Sequence, residues 1–154
     1  MISDGYDPPI TYIVATKCHQ NRAFPEDLRD GDRKGNVVPG TVIDTGIVDS
    51  HRFNFFLYGH SGIQGTSVPC HYTVLHDDNK LSAEEVQRLT YHHGYIFARC
   101  TRSVSFVTPA YYAHLAAGRA RFFLSESFDD DSTDSSKFEF TKLHEKLDNC
   151  IFFI

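Results

Sequence analysis

Arginines, hydroxyls and a histidine crowd one stretch of this 154-residue chain. Between Arg99 and Leu124 there are four arginines and no acid. The stretch reads Arg99-Cys-Thr-Arg102-Ser103-Val-Ser105, then Pro109-Ala-Tyr111-Tyr-Ala-His114-Leu, then Arg119-Ala-Arg121. Proline is favoured in the first turn of a helix, so a helix opens at Pro109 and runs over Ala110–Leu124. At roughly 100° per residue, Tyr111 and His114 share a helix face. Arg119 lies about 140° around the axis from His114. One helix can thus point a histidine at one site and an arginine at another. Arg102, Ser103 and Ser105 precede its N-terminus, where unpaired N–H groups favour phosphate oxygens. A helix with ordinary surface arginines has the same spacing, so spacing alone leaves both readings open.

Other chemistry is thinner. Nine histidines and four cysteines invite a zinc site. No pair among His71, His76, His92, His93 and Cys100 has structural-zinc spacing, so scattered histidines are the better reading. Asp44 falls in Val-Ile-Asp-Thr and could pair with His114 as acid and base. One carboxylate is too few for a two-metal nuclease, and a strand-end aspartate bonded to nearby backbone fits better. The loop Gly62-Ile-Gln-Gly65-Thr66-Ser67 offers N–H groups and hydroxyls that can cradle phosphate, although such loops are usually only turns.

These residues need elements to hold them. Ile10–Thr16, Thr41–Val48, Phe53–Tyr58 and Cys70–Leu75 are rich in β-branched and aromatic types and read as strands. Phe53, Phe55 and Leu57 fall on one side of the third. Glu26–Pro39 is charged and glycine-containing, a surface loop. Ser82-Ala-Glu-Glu85 is a capping box, and the helix it starts can extend through Tyr91–Phe97. Val104–Val107 reads as a short extended piece. In the helix after Pro109, Leu115, Ala116, Ala120 and Phe123 are available for packing. Gly118 within it costs about 1 kcal/mol against alanine. Lys137–Asn149 reads as a last short helix. Strands first and helices after predict an α/β layer, a sheet covered by helices.

Composition sets limits. With 41% apolar, 23% charged and 14% aromatic residues, the chain is globular, not disordered or fibrous. No apolar run approaches the roughly 18 residues a membrane helix needs, and no secretory leader is visible. Cys18, Cys70, Cys100 and Cys150 lie far apart, which suits a reducing compartment. The net charge of −5 resides in Ser125–Ser136, with its five carboxylates and no Lys or Arg. That stretch reads as a mobile insert. An acidic chain can therefore carry a basic site elsewhere.

Several segments in order resemble the Argonaute family, specifically the C-terminal half of its Piwi domain. They are Ile10-Thr-Tyr-Ile-Val followed by Lys17, then Pro39-Gly-Thr-Val-Ile-Asp-Thr45, then His60-Ser-Gly-Ile-Gln-Gly-Thr-Ser67. His71-Tyr-Thr-Val-Leu, Asp77-Asp-Asn79, Leu89-Thr-Tyr91, Arg99-Cys-Thr-Arg-Ser-Val-Ser105 and Pro109-Ala-Tyr-Tyr-Ala-His-Leu115 follow. The chain departs from the pattern at four places. Lys17-Cys18-His19-Gln20 stands for Lys-Arg-His-His, Val68 for an arginine, His76 for a tryptophan and Gly118 for a bulky residue.

The resemblance implies an RNase H-like fold, a mixed sheet covered by helices. The Piwi segment would span residues 1–124, the acidic insert 125–136, and the C-terminal helix and aromatic tail 137–154. It implies a small guide RNA and its target RNA as partners. Arg119 looks like the arginine reaching the guide 5′ phosphate. Lys17, Arg22, His60, Arg99, Arg102, Ser105 and Tyr111 match positions that hold guide backbone. The tail Ile151-Phe152-Phe153-Ile154 resembles the family C-terminus, which packs near the 5′-phosphate pocket. His114 looks like the histidine of the slicer tetrad, whose three carboxylates belong to segments upstream of the matching part. No slicing is expected of this chain alone. Mg²⁺ is expected only in a complete slicer parent, so no cofactor is expected here. A cytoplasmic location, with the nucleus as a second, accompanies this reading. The rival readings are a module that receives Trp-rich silencing proteins, and a truncated remnant without function.

Overall fold

The computed structural model describes residues 5–127, 137–141, 144–147 and 150–153. The chain divides into two units, Met1–Thr108 and Pro109–Ile154. The first holds four strands: β1 (Thr11–Thr16), β2 (Val42–Ile43), β3 (Asn54–Leu57) and β4 (Cys70–Asp77). They form one sheet in the order β1-β4-β3-β2, every ladder antiparallel.

β3 is buried along its whole length, not on alternate residues as Phe53, Phe55 and Leu57 suggest. Its inner position in the sheet explains this. On one face Phe55 stacks on Tyr72 at 5.4 Å. On the other, Phe56 stacks on His71 at 4.4 Å and meets the edge of His19 at 5.2 Å. Asn54 is buried but satisfied. Its Nδ2 donates to the carbonyls of Asp49 and Arg52, and its Oδ1 accepts from His71 Nε2 at 3.0 Å.

β2 is two residues, far shorter than the strand expected over Thr41–Val48. The chain turns away after Ile43. Gly46 adopts φ 77°, which glycine alone takes without strain, and Ile47 N–H donates to Thr45 O at 2.8 Å. Glu26–Pro39 is a loop with structure of its own. It contains a 3₁₀ turn at Leu28–Asp30 and a bridge from Gly31 to Val37, and Asn36 and Val37 are buried.

Helix α1 (Ala83–His92) starts at the expected capping box. Ser82 Oγ accepts from Glu85 N–H, and Glu85 Oε2 accepts from Ser82 N–H at 2.9 Å. It tightens into a 3₁₀ turn, His93–Tyr95, before Phe97. Val104–Val107 forms no strand. Its N–H groups go to Gly94 O and to the Tyr72 hydroxyl instead of a ladder.

The second unit carries most of α2 (Thr108–Ala120), β5 (Leu124–Ser127) and β6 (Lys137–Phe140). α2 stops before Leu124, passing through a 3₁₀ turn at Arg121–Phe123. The residues expected to be insert from Ser125 begin as strand. β5 pairs antiparallel with β6, Leu124 facing Phe140. Residues 128–136 of the expected insert lie outside the described residues. Among the described residues, 137–141 and 144–147, the helix expected over Lys137–Asn149 is not found: 137–140 are strand. Lys137-Phe-Glu-Phe140 alternates polar and aromatic residues, a two-residue period that suits a strand. Glu145–Leu147 forms a 3₁₀ turn. The aromatic tail covers α2, with Phe152 edge-on to Phe123 at 6.0 Å and Phe153 edge-on to Tyr112 at 6.2 Å.

Candidate nucleic-acid interface

The connection from β3 to β4 is a strap, residues 59–69, that crosses the first unit. Asn36 buckles it from below. Its Oδ1 accepts from Ser67 N–H at 2.9 Å and its Nδ2 donates to Gly65 O at 3.2 Å. Asp32 holds Asn36 in turn, accepting the N–H groups of Asn36 at 2.9 Å and Lys34 at 2.8 Å. The Lys34 ammonium donates to Ile63 O. Gly62 must be glycine here, because a Cβ would lie 2.7 Å from Ser67 Oγ and 3.2 Å from Asn36 Nδ2. A Cβ on Gly59 would lie 3.0 Å from Val104 O, so the strap runs hard against the segment after Arg102.

Two buried tyrosines hold the flanking segments. Tyr58 accepts a hydrogen bond from Ala23 N–H at 2.7 Å, fixing the loop after β1 that carries Arg22. Tyr72 accepts from Val107 N–H at 3.1 Å, fixing the segment that carries Ser105. Burial raises the pKa of both phenols, so they stay neutral. His19 adds a third tie, its Nε2 donating to Pro69 O at 2.9 Å.

Two clefts of about 610 Å³ each flank the strap. Lys17, His60, Ser67, Val68, Ser105 and Phe106 line the first. Lys17 Nζ lies 5.4 Å over the Phe106 ring. Lys34, His60, Tyr95, Cys100, Arg102 and Ser103 line the second. His60 belongs to both. Burial holds its imidazole below the usual histidine pKa, and its buried Nδ1 has no hydrogen-bond partner among the described residues. Hydroxyls, ammonium and guanidinium groups are donors suited to phosphate and sugar oxygens.

The structure thus gathers Lys17, His60, Ser105 and Arg102 around one strap. Arg99 is exposed and lines neither cleft. Arg22 donates within its own loop, to the carbonyls of His19 and Asn21. Tyr111, His114 and Arg119 lie on α2 in the second unit, the first half-buried and the other two exposed. Arg119 Nη2 donates to Phe152 O at 3.4 Å, so the helix and the aromatic tail meet at that guanidinium.

Asp44 ties two elements of the first unit together. Its carboxylate accepts from Gln87 Nε2 at 2.9 Å, linking β2 to α1 by a side chain and not through nearby backbone. Among the described residues no three His, Cys, Asp or Glu side chains gather to hold an ion. Sequence reasoning missed Asn36, Lys34, Tyr58, Tyr72 and Tyr95. Only Asn36 carries a local signal, the Asp32-x-x-x-Asn36 spacing between two glycines.

The family pattern described as the Piwi domain matches residues 1–125. Protein argonaute 11 of Oryza sativa subsp. japonica is 56% identical over 138 residues, which is 88% of this chain and 16% of that protein. The C-terminal lobe of a budding yeast Argonaute superposes with a TM-score of 0.82 at 32% identity, over 97% of this chain and 32% of that one. Kluyveromyces polysporus Argonaute, solved with a guide RNA, superposes with a TM-score of 0.71 at 40% identity, over 75% of this chain and 14% of that one. Matched by the Piwi pattern over most of its length and more than half identical to an argonaute, the chain belongs to the Argonaute family and forms part of its RNase H-like Piwi domain.

Proposed function

We propose that this chain holds the sugar-phosphate backbone of a small guide RNA, paired with its target, in RNA-mediated silencing. The observation that carries the reading is the strap. It presents Lys17, His60 and Ser105 on one side and Arg102 on the other. Cations and hydroxyls contact backbone and not base edges, so binding is largely independent of sequence. Arg22, Arg99 and Tyr111 extend the backbone contacts in this reading. Arg119 takes the guide 5′ phosphate, and its contact with the tail carbonyl of Phe152 supports that role. The Kluyveromyces polysporus relative was solved with a guide RNA, which fits this ligand class.

The chain does not cleave RNA by itself in this reading. His114 matches one member of the slicer tetrad, and a lone histidine cannot hold the two metal ions that in-line cleavage uses. A clean cut of a guide-matched target by the purified chain would overturn this.

Fluorescence anisotropy tests the binding. A short single-stranded RNA is offered with a 5′ phosphate or a 5′ hydroxyl at two salt concentrations, and circular dichroism confirms folding. The expected result is tighter binding of the 5′-phosphorylated strand, with log K falling by roughly 0.7 per neutralised phosphate for each decade of salt. A folded sample that binds neither strand sinks the proposal.

A further inference from the structure

The second cleft carries more than a phosphate site needs. Its wall includes an aromatic ring, Tyr95, that is 49% exposed. The ring is held in place despite that exposure. Tyr95 Oη and Tyr91 Oη lie 2.5 Å apart in a hydrogen bond, and the two rings meet edge to face at 5.2 Å. Tyr91 is backed by Gly40, where a Cβ would lie 3.5 Å from the Tyr91 ring. Val104 N–H donates to Gly94 O at 2.9 Å, which ties the Tyr95 wall to the Ser103 wall at the base of the cleft. Two cations, Arg102 and Lys34, line the same cleft, and no carboxylate is among its lining residues. The Lys34 ammonium donates to Ile63 O, another lining residue, and an ammonium has two further N–H groups.

A fixed, exposed aromatic face beside two cations is the pairing that single-stranded nucleic acid uses, bases on rings and phosphates on charges. A volume of about 610 Å³ also falls in the range of sites for small organic ligands, a nucleotide among them. We infer that this cleft is a nucleotide subsite, in which Tyr95 receives a base or ribose face and Arg102 with Lys34 receives the adjoining phosphate. Neither Lys34 nor Tyr95 belongs to the set of residues assigned above to backbone binding. The inference rests on the RNA-binding reading and adds to it a contact that salt does not screen.

The cleft contains its own reporter, the exposed thiol of Cys100. The probe is a ten-nucleotide single-stranded RNA with a 5′ phosphate. N-ethylmaleimide labelling is followed by mass spectrometry with and without RNA, and Cys150 in the second unit serves as the reference. RNA is expected to slow labelling of Cys100 relative to Cys150. In anisotropy, Tyr95→Ala and Tyr95→Leu, the second keeping an apolar side chain without a ring, are expected to weaken binding about 5- to 100-fold with an unchanged salt slope, while Tyr95→Phe, which keeps the ring and loses only its tether to Tyr91, retains most of the affinity. Lys34→Gln is expected to lower the salt slope by roughly 0.7. Wild-type RNA binding with no protection of Cys100 and no loss in Tyr95→Leu overturns the inference and leaves backbone binding standing. Absence of any RNA binding by the folded wild type overturns both.

Discussion

Asn36 concentrates the strap's dependence on one side chain. It is buried, and it satisfies both Ser67 N–H and Gly65 O, two groups of the loop that separates the clefts. Asn36→Ala leaves both without that partner. The expected loss is about 1–3 kcal/mol of stability, the cost of stranding the buried Ser67 N–H, measured by urea denaturation. RNA affinity falls as well, with no change in salt slope, because no charge is removed. Asn36→Asp does not rescue. It still accepts from Ser67 N–H but turns a carboxylate toward Gly65 O and Asp32. A rescue by aspartate would show that the amide donor does not matter. The histidines of the same region set a pH limit. Burial lowers the pKa of His60, and burial together with nearby His19 lowers that of His71. The unfolded chain then binds more protons than the folded one between the folded and unfolded values. Stability is complete above the unfolded pKa near 6.5 and declines as pH falls below it. Urea midpoints between pH 8 and pH 5 check this, and His60→Gln should flatten part of the decline.

At the scale of elements, what could be read from sequence depended on whether the signal was local. The capping box at Ser82 and Glu85 is a four-residue code, and α1 begins there. The β-branched and aromatic run Ile10–Thr16 is a strand signal, and β1 follows it over Thr11–Thr16. β2 is short because Asp44 and Gly46, both poor strand formers, interrupt its eight candidate residues, and Gly46 takes a positive φ that no ladder residue adopts. β6 failed because a charged segment can read as a helix until its partner, β5, is known. The site divides along the same line. The residues matching family motifs were legible by type and order. The strap's buckle was not, because Asn36 meets Ser67 across 31 residues of sequence. α2 gives a clean test of local propensity. Gly118 is exposed, and a Cβ there meets nothing within 4 Å. Gly118→Ala should therefore stabilise the chain by roughly 0.8–1.0 kcal/mol, the intrinsic helix difference, in equilibrium denaturation. A loss of stability would mean that the position faces something the described contacts do not include.

On the scale of the whole molecule, the four-stranded sheet ends in two edges, the six-residue β1 and the two-residue β2. β1 is an end strand, with a ladder to β4 and no other among the described residues. It is also apolar where it is exposed. Ile10, Tyr12 and Val14 have 53%, 57% and 37% of their surface open, and Leu75, the extra residue at the β4 bulge, has 51%. Native edge strands usually carry lysine, proline or a covering element, because unpaired N–H and C=O groups beside apolar side chains recruit a second strand. The six residues of this edge include no lysine and no proline. The bulge between Tyr12 and Ile13 twists the strand, but twist alone leaves Val14 and Thr16 open. The chain is therefore expected to self-associate as its concentration rises, through β1 and not through the strap. Light scattering coupled to size exclusion would show mass growing with loading concentration. The double variant Tyr12→Lys with Val14→Lys should elute at the mass of one chain with an unaltered circular dichroism spectrum, since both side chains point into solvent. Its RNA affinity should stay within a few-fold of wild type at equal salt, because the clefts lie on the strap and not on this edge. Association that persists in the double variant would move the sticky surface elsewhere, with the exposed Phe122 on the second unit as the next place to look.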